Sequence, residues 1–197
     1  NAKHIDGYCV GEPWNQQAVA LGIGKSIITS YEIWNNSPEK VFGVTREWAE
    51  QNPSTHKAVI KGLIEASQWM DNPSNRQEIV RIIAAQKYIG VPESVIEQSM
   101  TGTWTYSKQE AAVSMPDFNV FHRYAANYPW HSHAVWTLTQ MVRWGQIDQA
   151  IDFKKVAASV YLADVYREAA AELDIAAPTT NFKSEGIHAN AWTLKEA

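Results

Sequence analysis

The pattern of apolar and polar positions predicts a few short strands near the start of the chain and mostly helices after them. Three apolar runs bounded by turn-forming residues predict strands at residues 8–10, 25–29 and 41–44. Capping residues, prolines and helical spacing of apolar positions predict the helices. The predicted helices cover residues 14–21, a segment beginning after 45, another beginning at 53, and residues 74–87, 91–100, 132–144 and 164–173. The pattern therefore favours an α/β protein with few strands.

The longest predicted helix, which begins at Pro53, has one apolar face. Val59, Leu63, Ala66 and Met70 recur at helical spacing along it. We therefore expect this face to pack into the core of the protein.

The segment from Tyr8 to Trp14 combines a predicted strand, a glycine and a helix start. Gly11 allows a ligand to approach the backbone, and Pro13 suits the first turn of a helix. The first turn of a helix has unpaired N–H groups and a partial positive charge, which attract anions. The segment is therefore either a plain structural connection or an anion site. Glu12 favours the plain connection, because its carboxylate can cap the same N–H groups.

Composition excludes several kinds of partner and site. The 197 residues are 45% hydrophobic and carry a formal net charge of −4. They contain no basic run interleaved with aromatic residues, so nucleic acid is not expected as a direct partner. Cys9 is the single cysteine, which rules out an internal disulfide, and its apolar surroundings predict a buried, unreactive side chain.

Motifs for metal binding or catalysis are not evident in the sequence. His131 and His133 are two positions apart at a helix start, where their side chains point in different directions, so we expect no metal site. There is no Walker-type phosphate loop, no dinucleotide-binding fingerprint and no Gly-x-Ser-x-Gly motif. We therefore predict no catalytic residue and no cofactor.

Several blocks of the sequence together resemble one family. The blocks are Asp6-Gly-Tyr-Cys-Val-Gly-Glu-Pro-Trp-Asn15, Gly22-Ile-Gly24, Ile33-Trp34, Pro38-Glu39-Lys40-Val41, Asn127-Tyr-Pro-Trp-His-Ser-His-Ala-Val-Trp136 and Arg143-Trp-Gly145. In order and spacing they resemble the nitrate-binding proteins of nitrate/nitrite ABC importers, within the nitrate/sulfonate/bicarbonate family. The resemblance spans most of the chain, and the block ending at Asn15 is its most specific part.

The resemblance implies a periplasmic-binding-protein-like (type II) fold with two lobes, and this chain looks like its helix-rich C-terminal portion. Residues 1–23 would then finish the second lobe and carry the strand–turn–helix anion motif. Residues 24–105 would cross back to complete the first lobe, mostly as helices. Residues 106–197 would form a C-terminal arm and helices that pack across the lobes. Because Asn1 leads almost directly into an apolar segment, we expect a fragment or a processed product.

Carried over residue by residue, the family's pocket matches Val10, Gly11 and Lys40 as contacts of nitrate. Glu12 and Trp14 are expected to shape the turn. Lysine suits the role, because nitrate is a monoanion that needs N–H donors and one compensating positive charge. Without the resemblance, Lys40 is simply an exposed lysine in a turn. Relatives that bind bicarbonate look similar over these motifs but keep no lysine here, which favours nitrate or nitrite.

The implied function is that of the solute-binding component of an ABC importer. Such a protein binds nitrate or nitrite in an interlobe cleft and delivers it to a membrane permease that works with ATPase subunits. It needs no cofactor and catalyses nothing, and it is periplasmic or a membrane-anchored lipoprotein. Three alternatives stay open: a cytoplasmic nitrate sensor that controls a regulatory RNA-binding partner, a bicarbonate- or sulfonate-type anion-binding protein, and an enzyme of thiamine-pyrimidine biosynthesis. The last is disfavoured because no histidine- or cysteine-rich motif suits that chemistry.

Overall fold

The computed structural model describes residues 5–35, 37–148 and 150–185. Within these ranges the chain forms nine α-helices and one sheet of two antiparallel strands. The helices are α1 (Trp14–Leu21), α2 (Ser30–Ile33), α3 (Arg46–Gln51), α4 (Pro53–Asp71), α5 (Arg76–Ala84), α6 (Glu93–Thr101), α7 (His131–Arg143), α8 (Phe153–Val160) and α9 (Ala163–Ala171). The strands are β1 (Thr103–Trp104) and β2 (Val113–Ser114), and in their register Thr103 pairs with Ser114.

The chain divides into two compact units, and the division falls inside α4. The first unit comprises Asn1–Ile33 and Trp69–Phe121, and the second comprises Trp34–Gln68 and His122–Ala197. The assignment of residues 1–23, 24–105 and 106–197 to the lobes of a larger fold stays a prediction.

The first unit is built around α5 and α6. Their apolar side chains, with those of the connecting segment, form its core, whose buried members are Val80, Val91, Val95 and Ile96. An ion pair between Arg76 and Asp71, 3.0 Å from Nη2 to Oδ1, is almost wholly buried beside this core. The Asp71 carboxylate also accepts the N–H of Phe121 at 3.1 Å. Pairing and hydrogen bonding together offset the cost of burying these charges.

The second unit is built around aromatic side chains. The ring of Tyr128 meets those of Trp130 and Tyr166 edge to face, at centroid distances of 4.9 and 5.2 Å. This geometry is the favourable one for aromatic quadrupoles. The buried residues of this core are Ile64, Tyr128, Trp130, Ala163, Tyr166, Ala169 and Ala170. The aromatic core therefore joins α4 to α9 and to the loop before α7.

The buried face of α4 is not the one that the sequence predicted. Val59 is exposed and Leu63 is 43% exposed, whereas Ile64 and Ser67 are buried. Both stripes have helical spacing, so periodicity alone cannot distinguish them. The aromatic core selects the stripe containing Ile64, and its rings come from residues far later in the chain.

The three strands predicted near the amino terminus are absent from the described residues. Residues 8–10, 25–29 and 41–44 have no regular secondary structure there, and Val41 is 70% exposed. A β-prone segment becomes a strand only where a second strand pairs with it. Because no described strand lies beside these segments, they stay unpaired. Cys9, which was expected to be buried in the first strand, is exposed for the same reason.

The capping signal at α3 was correct, whereas Ser74 and Ser132, which were expected to cap later helices, do not cap them. Thr45 caps α3 as predicted, because its hydroxyl accepts the N–H of Trp48 at 3.2 Å. A reciprocal cap at the start of α2 was not predicted. The carboxylate of Glu32 accepts the N–H of Thr29 at 2.9 Å, and the Thr29 hydroxyl accepts the N–H of Glu32 at 3.3 Å. This pair ends the segment that was predicted to be the second strand.

Candidate functional site

The predicted anion turn lies directly before α1 in the first unit, and it is tied to that helix. Pro13 is buried, and its carbonyl oxygen accepts the N–H of Gln17 at 2.9 Å. Ala18 and Val19, one turn further on, are buried as well. The helix in turn is attached through Gln16, whose side-chain amide donates to the carbonyl oxygen of Thr105 at 3.0 Å. The start of α1 is therefore a fixed support for the turn.

Two side chains organise the turn itself. Asn15 Nδ2 donates to the carbonyl oxygen of Val10 and to Oε1 of Glu12, both at 2.7 Å. The other carboxylate oxygen of Glu12 accepts the N–H of Gln16 at 3.3 Å. Glu12 thus has the capping role that was considered from the sequence. This hydrogen bond uses one N–H group of α1, and it does not use the N–H groups of the turn before the helix.

Burial and hydrogen bonding act in opposite directions on the pKa of Glu12. Burial raises the pKa of Glu12 above 4.5, and the hydrogen bonds from Asn15 and Gln16 lower it by a smaller amount. The two hydrogen bonds therefore favour the ionised carboxylate, and burial disfavours it more strongly.

The turn offers two backbone donors to a ligand. The N–H groups of Val10 and Gly11 have no acceptor among the described residues, and both residues are exposed. Trp14 is also exposed, while its carbonyl oxygen accepts the hydroxyl of Tyr8 at 3.3 Å. Exposed amide groups of this kind can exchange water for an anion that accepts hydrogen bonds.

Lys40 lies in the second unit, in the irregular segment between α2 and α3. Its side chain is 80% exposed, and its Nζ contacts the two carboxylate oxygens of Glu39 at 2.9 and 2.7 Å. An exposed ion pair such as this contributes about 0 to 1 kcal/mol. Among the described residues, no backbone hydrogen bond holds residues 39–44. Lys40 is therefore an accessible cation whose present partner is easily displaced.

The structure brings the predicted residues together only in part. Val10, Gly11, Glu12 and Trp14 share one turn of the first unit, whereas Lys40 belongs to the second unit. Their roles as ligand contacts stay predictions.

Sequence reasoning missed two side chains at these places, Asn15 and Glu39. A signal for each was present in the sequence. An acid and an amide stand three residues apart across a helix start at Glu12 and Asn15, and an acid directly precedes Lys40.

The two histidines at the start of α7 make structural contacts. His131 Nε2 lies 3.0 Å from the carbonyl oxygen of Tyr161, and His133 Nε2 lies 3.3 Å from Oε1 of Glu185. Burial lowers the pKa of His133, so its ring favours the neutral form. The Ser132 hydroxyl donates to the same carboxylate at 2.7 Å. In the described ranges, no three His, Cys, Asp or Glu side chains are grouped as a metal site would require.

Comparison with known sequences identifies relatives of the chain. Residues 1–84 match the model of the NMT1-like family. The chain is 34% identical, over 88% of its length, to the nitrate/nitrite binding protein NrtA of Synechocystis sp.. It is 38% identical over 87% of its length to the nitrate import ATP-binding protein NrtC of the same organism. It is 34% identical, again over 87%, to the bicarbonate transport ATP-binding protein CmpC of Synechococcus elongatus.

The chain matches only part of each of these relatives. The matched region is 39% of NrtA, 26% of NrtC and 25% of CmpC. None of the described helices combines the length and apolar character needed to cross a bilayer.

A solved structure shows the same fold. The crystal structure of the periplasmic nitrate-binding protein NrtA from Synechocystis matches with a TM-score of 0.86 at 31% identity. The match covers 89% of this chain and 47% of that one. It confirms the predicted class, a helix-rich portion of a periplasmic-binding-protein-like fold. Sequence and structure together show that the chain is homologous to part of the nitrate/nitrite binding protein NrtA and shares the fold of that part.

Proposed function

We propose that the protein binds nitrate or nitrite, with the N–H groups of Val10 and Gly11 and the ammonium group of Lys40 as contacts. The observation that carries the proposal is the pair of accessible amides in the turn, which have no acceptor among the described residues. The similarity to NrtA, a nitrate/nitrite binding protein, supports it.

The chemistry of nitrate fits these three groups. Nitrate has oxygen acceptors and no proton to donate, so every polar contact must come from a donor on the protein. Two backbone amides supply donors without a charge, and one ammonium group compensates the single negative charge. The donors on the turn are held in place by α1, so the ordering cost of binding falls on Lys40 and its segment.

Within this proposal the protein has no catalytic role. It acts outside the cytoplasm and hands the anion to a membrane permease with its ATPase subunits. The periplasmic location of NrtA and the similarity to NrtC, an ATP-binding protein of nitrate import, support this part of the proposal. CmpC, a bicarbonate transport protein, makes bicarbonate the anion against which nitrate must be tested.

The test is a calorimetric titration of the full-length protein with nitrate, followed by bicarbonate as a competitor. We expect nitrate to bind and an equal concentration of bicarbonate to leave it bound. Lys40→Glu should weaken nitrate binding at least about a hundredfold, because the contact changes from attraction to repulsion. Lys154→Glu is the matched control, since Lys154 is an exposed lysine of the same unit.

Three outcomes would contradict parts of the proposal. Absence of nitrate binding would reject nitrate as the ligand. Displacement of nitrate by equal bicarbonate would favour the bicarbonate-type alternative. Normal binding by Lys40→Glu would show that Lys40 is a surface residue without a role in binding.

A further inference from the structure

We propose that Asn15 is a positioning residue of the anion site, which aims the N–H group of Gly11 at the bound anion. The inference rests on the proposed function, because it concerns the same turn. Asn15 does not contact the anion in this proposal. It acts through the peptide group that joins Val10 to Gly11.

The first step is the geometry of that peptide group. Within the described residues, the only cis peptide bond is the one between Glu12 and Pro13, so the bond between Val10 and Gly11 is trans. In a planar trans peptide, the carbonyl group and the N–H group point in opposite directions. Asn15 Nδ2 holds the Val10 carbonyl oxygen at 2.7 Å. Fixing this oxygen therefore also fixes the direction of the Gly11 N–H group.

The second step is the anchoring of Asn15 itself. Its amide nitrogen has two hydrogens, and it has two acceptors at 2.7 Å, the Val10 carbonyl oxygen and Oε1 of Glu12. Glu12 is tied to α1 through the N–H of Gln16. Asn15 lies in α1, and both acceptors hold its side-chain amide in one orientation. The position of the helix therefore fixes the position of the peptide group between Val10 and Gly11.

The third step concerns donor strength. A hydrogen bond to the carbonyl oxygen polarises the whole peptide group and makes its N–H a better donor. Here Asn15 donates to the Val10 carbonyl oxygen, so the N–H group of Gly11 becomes the stronger donor. That N–H group has no acceptor among the described residues. The same contact therefore both orients and strengthens one of the two amides that the proposed site uses.

The side chain at position 15 must donate two hydrogen bonds for this arrangement. Aspartate has the same shape but no donor when ionised, and it would place a second carboxylate beside Glu12. Leucine has a similar volume and no donor at any pH. These two replacements separate the loss of the donors from the addition of charge.

The test compares nitrate binding by wild type, Asn15→Asp and Asn15→Leu in the full-length protein. At about pH 8 we expect both variants to bind at least about tenfold more weakly, because the Gly11 N–H is no longer aimed. The neighbouring Glu12 raises the pKa of an aspartate at position 15, and the protonated form regains one O–H donor. Binding by Asn15→Asp should therefore recover in part at about pH 5, whereas binding by Asn15→Leu should not.

A control variant separates positioning from charge. Gln17→Glu adds the same negative charge to the same helix, and the side chain of Gln17 makes no hydrogen bond among the described residues. We expect this variant to bind nitrate within about twofold of wild type. Equal losses in Gln17→Glu and Asn15→Asp, with no recovery at low pH, would overturn the positioning role.

A second measurement does not depend on nitrate. In the protein without anion, we expect the NMR amide signal of Gly11 to shift in both Asn15 variants, because the hydrogen bond to the Val10 carbonyl oxygen is lost. An unchanged Gly11 signal in folded variants would overturn the inference. If wild type does not bind nitrate but the Gly11 signal responds as expected, the proposed function fails while the positioning role stands.

Discussion

The turn before α1 and the segment around Lys40 present their binding groups in opposite ways. In the turn, Asn15 and Glu12 make three hydrogen bonds that tie the backbone at Val10 to the helix. In the segment of residues 39–44, no backbone hydrogen bond is present among the described residues, and the ammonium of Lys40 contacts only Glu39. The turn supplies donors that are already placed. The Lys40 segment supplies a charge that has still to be ordered.

This difference indicates how the two contacts contribute to binding. Ordering one residue of backbone costs about 1 to 2 kcal/mol, and immobilising a long side chain adds about 1 to 2 kcal/mol. The turn has met this cost during folding, whereas the Lys40 segment meets it when the anion binds. We therefore expect the turn to determine the geometry of recognition and the Lys40 segment to limit the affinity.

Among the effects that follow from this comparison of the two regions, the largest is a local change in hydrogen exchange when nitrate binds. Amides of residues 41–44 should become at least about tenfold more protected, because the anion orders a segment that makes no backbone hydrogen bond with any other described residue. Amides of α1 should change by less than about twofold, since that helix is already held. Hydrogen-exchange mass spectrometry of the full-length protein, with and without nitrate, measures both.

Chloride at the same concentration is the control for ionic strength in this experiment. Equal protection of α1 and residues 41–44 would contradict the comparison, because both regions would then be ordered by the anion.

The next effect concerns Glu39, whose carboxylate contacts the ammonium group of Lys40. Glu39→Gln removes the ionic partner of the Nζ group, which lies 2.7 Å from the nearer oxygen. Nitrate then has no competitor at this cation, and we expect its affinity to rise about two- to fivefold, as suits an exposed ion pair of up to about 1 kcal/mol. Isothermal titration calorimetry at low ionic strength measures the gain.

Glu65→Gln is the matched control, because Glu65 is an exposed acid of the same unit without a charged partner among the described residues. The gain from Glu39→Gln should shrink as salt is added, since salt already screens the exposed pair. Affinity unchanged at low salt would show that Glu39 does not compete for Lys40.

Two helix starts that follow from local chemistry were predictable from the sequence. Thr45 and Pro53 marked the starts of α3 and α4 correctly, because a cap or a proline acts within one turn. The fold class was predictable as well, although from the resemblance rather than from periodicity.

The parts that depend on distant partners were not predictable from local patterns. The residues from Tyr8 to Val10 have strand-forming side chains, but no described strand pairs with them. Leu63 and Ile64 lie on adjacent stripes of α4, and only packing against rings from later in the chain decides which is buried. The proposed role of Asn15 could not be predicted from local patterns either. An asparagine near a helix start can make several different hydrogen bonds, and only the structure shows which two acceptors it has.

The smallest expected effect is a pH-dependent change in stability at Glu12. Burial raises the pKa of this carboxyl above its value of 4.5 in the unfolded chain. The folded state therefore binds a proton more tightly than the unfolded state. The contribution of protonated Glu12 to the unfolding free energy is therefore fully present below about pH 4.5, and it is lost as the pH rises through the folded-state pKa. Glu12→Gln cannot titrate, so it lacks this dependence.

Urea unfolding of both proteins between about pH 4 and about pH 7 measures this difference. The unfolding free energy of wild type, relative to Glu12→Gln, should decrease as the pH rises, by about 0.5 kcal/mol or less. Glu65→Gln again controls for the removal of one carboxylate. If the relative stability of wild type instead increased with pH, the hydrogen bonds from Asn15 and Gln16 would outweigh burial at Glu12. The turn would then hold a stabilised anion of its own, which we would expect to compete with nitrate for the donors of the turn.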